Sequence, residues 1–364
     1  MIKSIDQLDF DENGCSDTDK AIAKYKVVAT NGDNSYVNYT LSNGYYQLFV
    51  DEGDYEVSVE PYYNAWFSTN PESETTSFTG IGNTENIDFC FLKTQNINDL
   101  NVRIVPLNEP RPGFDVSYEL IYTNAGTTIL DGSVDFEFDD RLQFLGADTA
   151  IETQTQNAIT FLYDQLLPLE SRKVALDFNI PTIPEVNLFD ILTFKASIDP
   201  KNGDATWPDN DFTLREIVIG SYDPNDIRII EGDSIFIRDA DEYLTYLIRF
   251  QNTGTASAIN VRVNHELDAN LDWNTFVPIS SSHSNVTTIT NGKDVEFFFE
   301  NIFLPDSESN EPESHGYISF KIKPKNDISI GDKIESLANI YFDFNPPIIT
   351  NTAITEFIDN PLPL

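Results

Sequence analysis

Positions 9–19 read Asp-Phe-Asp-Glu-Asn-Gly-Cys-Ser-Asp-Thr-Asp, five carboxylates in eleven residues. Oxygen donors at that density are what a hard cation such as Ca²⁺ binds. Counted as an EF-hand-type loop, Asp9, Asp11, Asn13, Gly14 and Asp17 fill positions 1, 3, 5, 6 and 9, with the Cys15 carbonyl at position 7. Position 12 calls for a bidentate Glu and holds Lys20, which cannot ligate. Asp19, one residue earlier, takes that place only if the backbone leaves the loop into a strand. Two readings therefore stand. One is a structural Ca²⁺ loop of Asp9, Asp11, Asn13, Cys15, Asp17 and Asp19. The other is a polar turn capped by its own Asx side chains.

A second oxygen-rich stretch is Ile-Gly-Ser-Tyr-Asp-Pro-Asn-Asp at 219–226. Asp223, Asn225 and Asp226 are candidate Ca²⁺ ligands at a joint between domains. The competing reading is a rigid turn, with φ set by Pro224 and the backbone capped by Asn and Asp. Cys15 and Cys90 are the only cysteines, and neither lies in a CxxC or Cys/His context suited to zinc or redox work. In an oxidising compartment they would form a disulfide, stabilising by about 4 kcal/mol on a chain-entropy account. Two buried thiols in a reduced protein are the alternative.

Signals for catalysis are weak. His265, His283 and His315 are the three histidines, and none pairs with another at metal spacing. The strained Gly-x-Ser-x-Gly turn of a nucleophilic serine does not occur, nor does a phosphate loop, GxGxxG or HExxH. Glycosidase chemistry needs two carboxylates at a set separation, and nothing singles out a pair among 60 acidic residues. Trp66, Trp207 and Trp273 could each serve as a sugar platform, although lone tryptophans in β-proteins are more often packing residues.

The charge balance narrows the partners. Sixty acidic against 22 basic residues give a net charge of −38 over 364 residues. Phosphate neutralisation needs the opposite sign, so nucleic acid is not expected, and an anionic membrane surface would repel the chain. No stretch approaches the roughly 20 apolar residues of a membrane span, so no insertion is expected. The opening residues do not read as the n-region, h-region and cleavage site of a signal peptide. The expectation is either a protein that stays inside or a piece of a larger exported one.

Elements that position these residues are read from period-two alternation, as in YEVSVEP, FDVSYELIY, YLTYLIRF and GYISFKIK. Pro, Gly, Asn and Asp clusters punctuate them, and helical periodicity is nearly absent. This is the pattern of β-sandwiches. Three segments are expected, at 1–94, 95–220 and 221–364. In the first, Gly44 to Tyr46 and Gly53 to Tyr55 open two strands that flank an acidic turn. The second and third look like copies. YELIYTNAGTT from Tyr118 matches YLIRFQNTGTA from Tyr246, and Leu167-Pro168 matches Leu304-Pro305. Asp190 and Asp332 each precede an Ala-x-Ile by six residues. Ordered matches of this kind argue for tandem duplication.

The first segment resembles the prealbumin-like, or carboxypeptidase-regulatory-like, β-sandwich used as a spacer in exported proteins. GSYDPND, the following YLTYLIRFQNTGTASAINVRVNHELDANLDW and LANIYFDFNPPIITNTA resemble a module of bacterial surface proteins exported by the type IX secretion system. The resemblance implies an all-β chain of three tandem Ig-like or prealbumin-like sandwiches in an elongated rod. It also implies a place outside the cell or on its surface, and with it a Cys15–Cys90 disulfide. Partners would be other parts of a parent protein, an adhesive or leucine-rich-repeat region before and a sorting domain after. Asp148-Thr149-Ala150 and Asp233-Ser234-Ile235 resemble O-glycosylation acceptors of such bacteria. The expected role is a monomeric, non-enzymatic, Ca²⁺-stiffened stalk of an adhesin-type protein. A module that binds glycans or surface proteins is the first alternative, and an accessory region of a secreted hydrolase the second.

Overall fold

A computed structural model describes all residues except 10, 11, 17, 18, 33, 61–65, 221, 222 and 360–364. The chain is all-β. The helical turns among the described residues are short 3-10 segments at Trp207–Asn210, Ile237–Asp239 and Pro312–Ser314. No helix among those residues is long and apolar enough to cross a membrane.

The chain forms two compact units. One comprises Ala65–Phe67 and Lys93–Asp223, and the other Met1–Asn64, Ser68–Leu92 and Pro224–Leu364. The middle unit is a sandwich of two antiparallel sheets. Its four-stranded sheet runs Leu100–Pro106, Asp115–Asn124, Glu170–Asn179, Gln143–Ala147. Its five-stranded sheet runs Thr153–Gln154, Ala158–Leu166, Leu130–Glu137, Ile191–Asp199, Asp211–Ile217. Alternation puts Val116, Tyr118 and Leu120 of one sheet and Phe136, Phe194 and Ile198 of the other inside. Phe178 packs at 6.0 Å from Phe136, and Tyr118 at 4.4 Å from Phe194, by ring centroids. Each such ring, fully buried, stabilises by about 1.5–3 kcal/mol.

The other unit contains both the first and the last segments expected from the sequence, where two separate domains were anticipated. A nine-stranded sheet runs through both, in the order Ile348–Ile349, Ala338–Phe342, Val261–Glu266, Asp294–Phe299, Val286–Thr290, Ser35–Tyr39, Lys26–Thr30, Gly53–Glu60, Ser73–Phe78. The seam is the antiparallel pairing of Thr288, Ile289 and Thr290 with Asn38, Val37 and Tyr36. Side chains reinforce it. Asn38 Nδ2 donates to the Thr287 carbonyl at 3.1 Å, Tyr39 OH to the Phe276 carbonyl at 3.2 Å, and Lys24 Nζ to the Ile279 carbonyl. Val28, Val37 and Tyr39 join one core with Phe276, Ile289 and Phe297. Lys26, 1% exposed, holds Glu60 at 2.8 Å and lies 4.4 Å over the Trp273 ring. Both segments bring strands whose paired edges and apolar residues complete each other, which is why two patterns legible as separate sandwiches merge.

Candidate functional site

The 9–19 loop leaves the Gln7–Asp9 strand, which pairs in parallel with Cys90–Lys93. That pairing sets Gln7 opposite Cys90, and Cys15 and Cys90 form a disulfide with Cα atoms 5.6 Å apart. Asp9 is buried. Its Oδ1 accepts the Asn13 amide at 3.1 Å and its Oδ2 the Gly14 amide at 3.0 Å. Gly14, at φ +97°, takes the left-handed turn that glycine accommodates without strain. Asp19 Oδ2 accepts the Ser16 amide at 2.7 Å and the Ser16 hydroxyl at 3.0 Å. The carboxylates of Asp9 and Asp19 thus cap backbone within the loop. Asp11 and Asp17, the other two acidic ligands expected there, lie outside the described residues.

At the second candidate, Asp223 is exposed and Asn225 is buried, with its Oδ1 accepting the Gln251 amide at 3.1 Å. Asp226 turns both oxygens to the buried guanidinium of Arg249, with Nε at 2.8 Å. The histidines are dispersed. His265 is buried and meets the Leu337 carbonyl through Nδ1 at 2.8 Å, and burial holds it below the ordinary imidazole value. His283 contacts the Ser282 hydroxyl at 2.9 Å, and His315 contacts Glu311 at 3.0 Å. His283 lines an open groove of about 320 Å³ with Lys24, Ser280, Ser281, Ser282 and Asn285. Trp273 packs under Lys26, whereas Trp207 is 62% exposed. Ser234 is exposed on an edge of the Ser234–Phe236 strand, and Thr149 is half-buried beside Asp148.

The acidic convergence the sequence did not single out is in the middle unit. Asp99, Asp204 and Asp209 bring carboxylate oxygens within 4.8 Å of one another. Three local structures place them. Asp99 precedes the Leu100–Pro106 strand, and its carbonyl accepts the Ala125 and Gly126 amides at 2.8 and 3.1 Å. Asp204 bridges to Asn98, and its Oδ2 accepts the Leu100 amide at 2.8 Å. Asp209 lies in the Trp207–Asn210 turn, which Pro208 favours by fixing φ at its start. Thr206 ties the group together, its amide 3.1 Å from Asp99 Oδ1 and 3.0 Å from Asp204 Oδ1, and its hydroxyl donating to Asp99. Burial pushes Asp99 up to about 7, the Thr206 hydrogen bond opposes this, and the Asp209 and Asp204 charges add to the rise. The linear signal for this group was Asp204, Asp209 and Asn210 in one Gly- and Pro-marked stretch. Asp99 stands about a hundred residues away in sequence, where loop spacing has no reach.

Several solved structures are similar to the chain at a low level. The major pilin subunit BcpA of Bacillus cereus is 12% identical with a TM-score of 0.27, over 99% of this chain and 98% of that one. The collagen adhesin CNA of S. aureus is 11% identical with a TM-score of 0.23, over 72% and 96%. Red sea bream transglutaminase is 12% identical with a TM-score of 0.22, over 73% of this chain and 32% of that one. Likeness at this level, spread over a pilin, an adhesin and an enzyme, carries no argument about activity. No curated protein sequence matches the chain. Residues 223–356 match the model of a family described as a domain of unknown function, DUF7619.

Proposed function

We propose that the chain is a non-enzymatic spacer of an extracellular or cell-surface protein of adhesin type. The observation that carries this reading is the seam at Val286–Thr290 and Ser35–Tyr39, where main-chain pairing and a shared core join two stretches far apart in sequence. Main-chain ladders and continuous cores resist extension, which is the mechanical task of a spacer. The Cys15–Cys90 disulfide supports an oxidising compartment, since such bonds persist outside the cytosol. Export by the type IX route, neighbouring adhesive and sorting regions as partners, and stiffening by Ca²⁺ at Asp9–Asp19 or Asp223–Asp226 belong to the same proposal. A spacer is defined by replaceability. Exchanging the whole chain, within its parent protein, for an unrelated β-sandwich rod of similar reach should leave surface adhesion intact. Loss of adhesion on that exchange would sink the reading.

One observation favours a second reading, a glycan-binding module. Trp207 presents its ring to solvent, as a sugar platform requires. Glycan-array binding by the isolated chain that disappears in Trp207→Ala supports this second reading, and no binding by the wild-type chain removes it.

A further inference from the structure

An acidic cluster is no site in itself, because a chain with 60 carboxylates brings some of them together by chance. The group at Asp99, Asp204 and Asp209 differs in what surrounds it. Asp99 and Asn210 are both 0% exposed, and Asp99 Oδ2 and Asn210 Oδ1 have no hydrogen-bond partner. Buried oxygens are normally satisfied, and those that are not call for an explanation such as an ion. Among the described residues, no basic side chain forms an ion pair with Asp99 or Asp204. The Asn210 amide lies against the acids, its Nδ2 3.2 Å from Asp204 Oδ2. Which end of an Asn amide is oxygen is set by its surroundings. With a cation present, the half-turn that sends the carbonyl oxygen towards Asp204 becomes the favourable one.

We propose that Asp99, Asp204 and Asp209, with the side-chain carbonyl of Asn210, bind one divalent cation of the Ca²⁺ class. Two oxygens each about 2.4 Å from one Ca²⁺ lie at most about 4.8 Å apart. The carboxylates fall within that limit. The donors are all hard oxygens, which suits Ca²⁺ and not zinc or copper. Asp204 and Asp209 are only half-buried, so water can complete the six to eight ligands that Ca²⁺ takes. The ion would tie the Trp207–Asn210 turn to the start of the Leu100–Pro106 strand, two places now joined by Thr206 and Asp204. The inference rests on these residues alone and holds whether or not the chain is a spacer.

Tb³⁺ is a fitting probe, because Trp207 begins the turn that carries Asp209 and Asn210 and can sensitise its emission. After EDTA treatment and dialysis, the whole chain is titrated with Tb³⁺ and then with competing Ca²⁺ and Mg²⁺. Its thermal unfolding is followed with Ca²⁺ and with EDTA. The expected result is Trp-sensitised emission displaced by Ca²⁺ in preference to Mg²⁺, and a Tm several degrees higher with Ca²⁺. Asp204→Asn and Asp209→Asn should weaken Ca²⁺ at least about 10-fold and abolish the Tm rise. Asp99→Asn should also lose the rise while melting no lower than wild type in EDTA. Trp207→Phe guards against variants that do not fold, since it should lose sensitised emission and keep the Ca²⁺-dependent Tm. Identical melting of the wild-type chain with Ca²⁺ and EDTA overturns the proposal. So does a Ca²⁺ response that survives Asp204→Asn and Asp209→Asn but vanishes in Asp9→Asn.

Discussion

Two buried titratable side chains respond to pH in opposite directions. Asp6 is fully buried, with Oδ1 accepting the Phe89 amide at 3.3 Å and Oδ2 unpartnered. Burial raises it well above the ordinary carboxylate value, the Phe89 amide opposes this, and Asp88 adds to the rise. A raised folded value means the charged form is disfavoured in the fold, so this residue costs stability at neutral pH, and stability recovers as pH falls through the folded value. Asp6→Asn should therefore raise Tm at pH 7, with the gain shrinking towards pH 4. An equal or lower Tm at pH 7 in a scanning-calorimetry comparison would refute this account. His265 works the other way. Its lowered folded value means that stability is fully present above the unfolded value of about 6.5 and is lost as pH falls below it. His265→Gln should flatten the acid limb of the Tm–pH curve between about pH 6.5 and 5, and an unchanged limb would rule that cause out.

At the scale of elements, the repeated Asn-x-Gly-Thr is a tied strand end. Asn124 Nδ2 donates to the Thr128 and Leu166 carbonyls at 2.7 and 2.8 Å, and its Oδ1 accepts the Gly126 amide at 3.0 Å. Asn252 repeats this with the carbonyls of Ala256 and Leu304, at 2.9 and 3.0 Å, and with the Gly254 amide at 3.0 Å. The aspartates of the repeat agree as well. Asp190 and Asp332 each accept, through Oδ2, the amide three residues earlier, at 3.0 and 2.8 Å. Asn252→Ala removes the side-chain partner of the Ala256 carbonyl and the Gly254 amide, while the Leu304 carbonyl keeps the Ala258 amide at 2.9 Å. It should cost about 1–3 kcal/mol in denaturant unfolding, against under about 0.5 for an exposed surface change. The seam makes a separate prediction. Asn38→Ala removes the donor to Thr287 and the acceptor of the Gln47 amide, both at 3.1 Å. It should cost about 1–3 kcal/mol and speed hydrogen exchange in both 35–39 and 286–290. Faster exchange in only one of the two strands would show that they do not open together.

Over the whole molecule, the disulfide and the net charge act on the chain in opposite senses. The bond joins residues 75 apart in sequence, and its loss should cost about 2–5 kcal/mol. Because the seam joins 26–60 to 261–299 in one sheet, Cys15→Ser with Cys90→Ser should lower the melting of the last segment along with the first. A calorimetric trace in which only part of the first–last unit shifts would count against a single cooperative unit. The net charge of −38 repels across both units and is screened by salt.

Alternating strands, the repeat and the cysteine pair were all legible in the chain, because strand period, turn chemistry and a lone pair of thiols are local or countable properties. The tied ends at Asn124 and Asn252 were visible as turn signals, although the carbonyls they hold were not. Partners far apart in sequence were decided only by folding. Val37 and Ile289 look like any half-buried strand residues until their edges meet. Nothing in the residues around Asp226 shows that Arg249 comes beside it. Asp99 looks like one more surface acid among sixty, and becomes the centre of a candidate cation site because a strand start and a distant proline-marked turn close around it. Local pattern sets which face of a strand is apolar. Which charges share a small volume depends on which backbones pair, and that is a property of the packed chain.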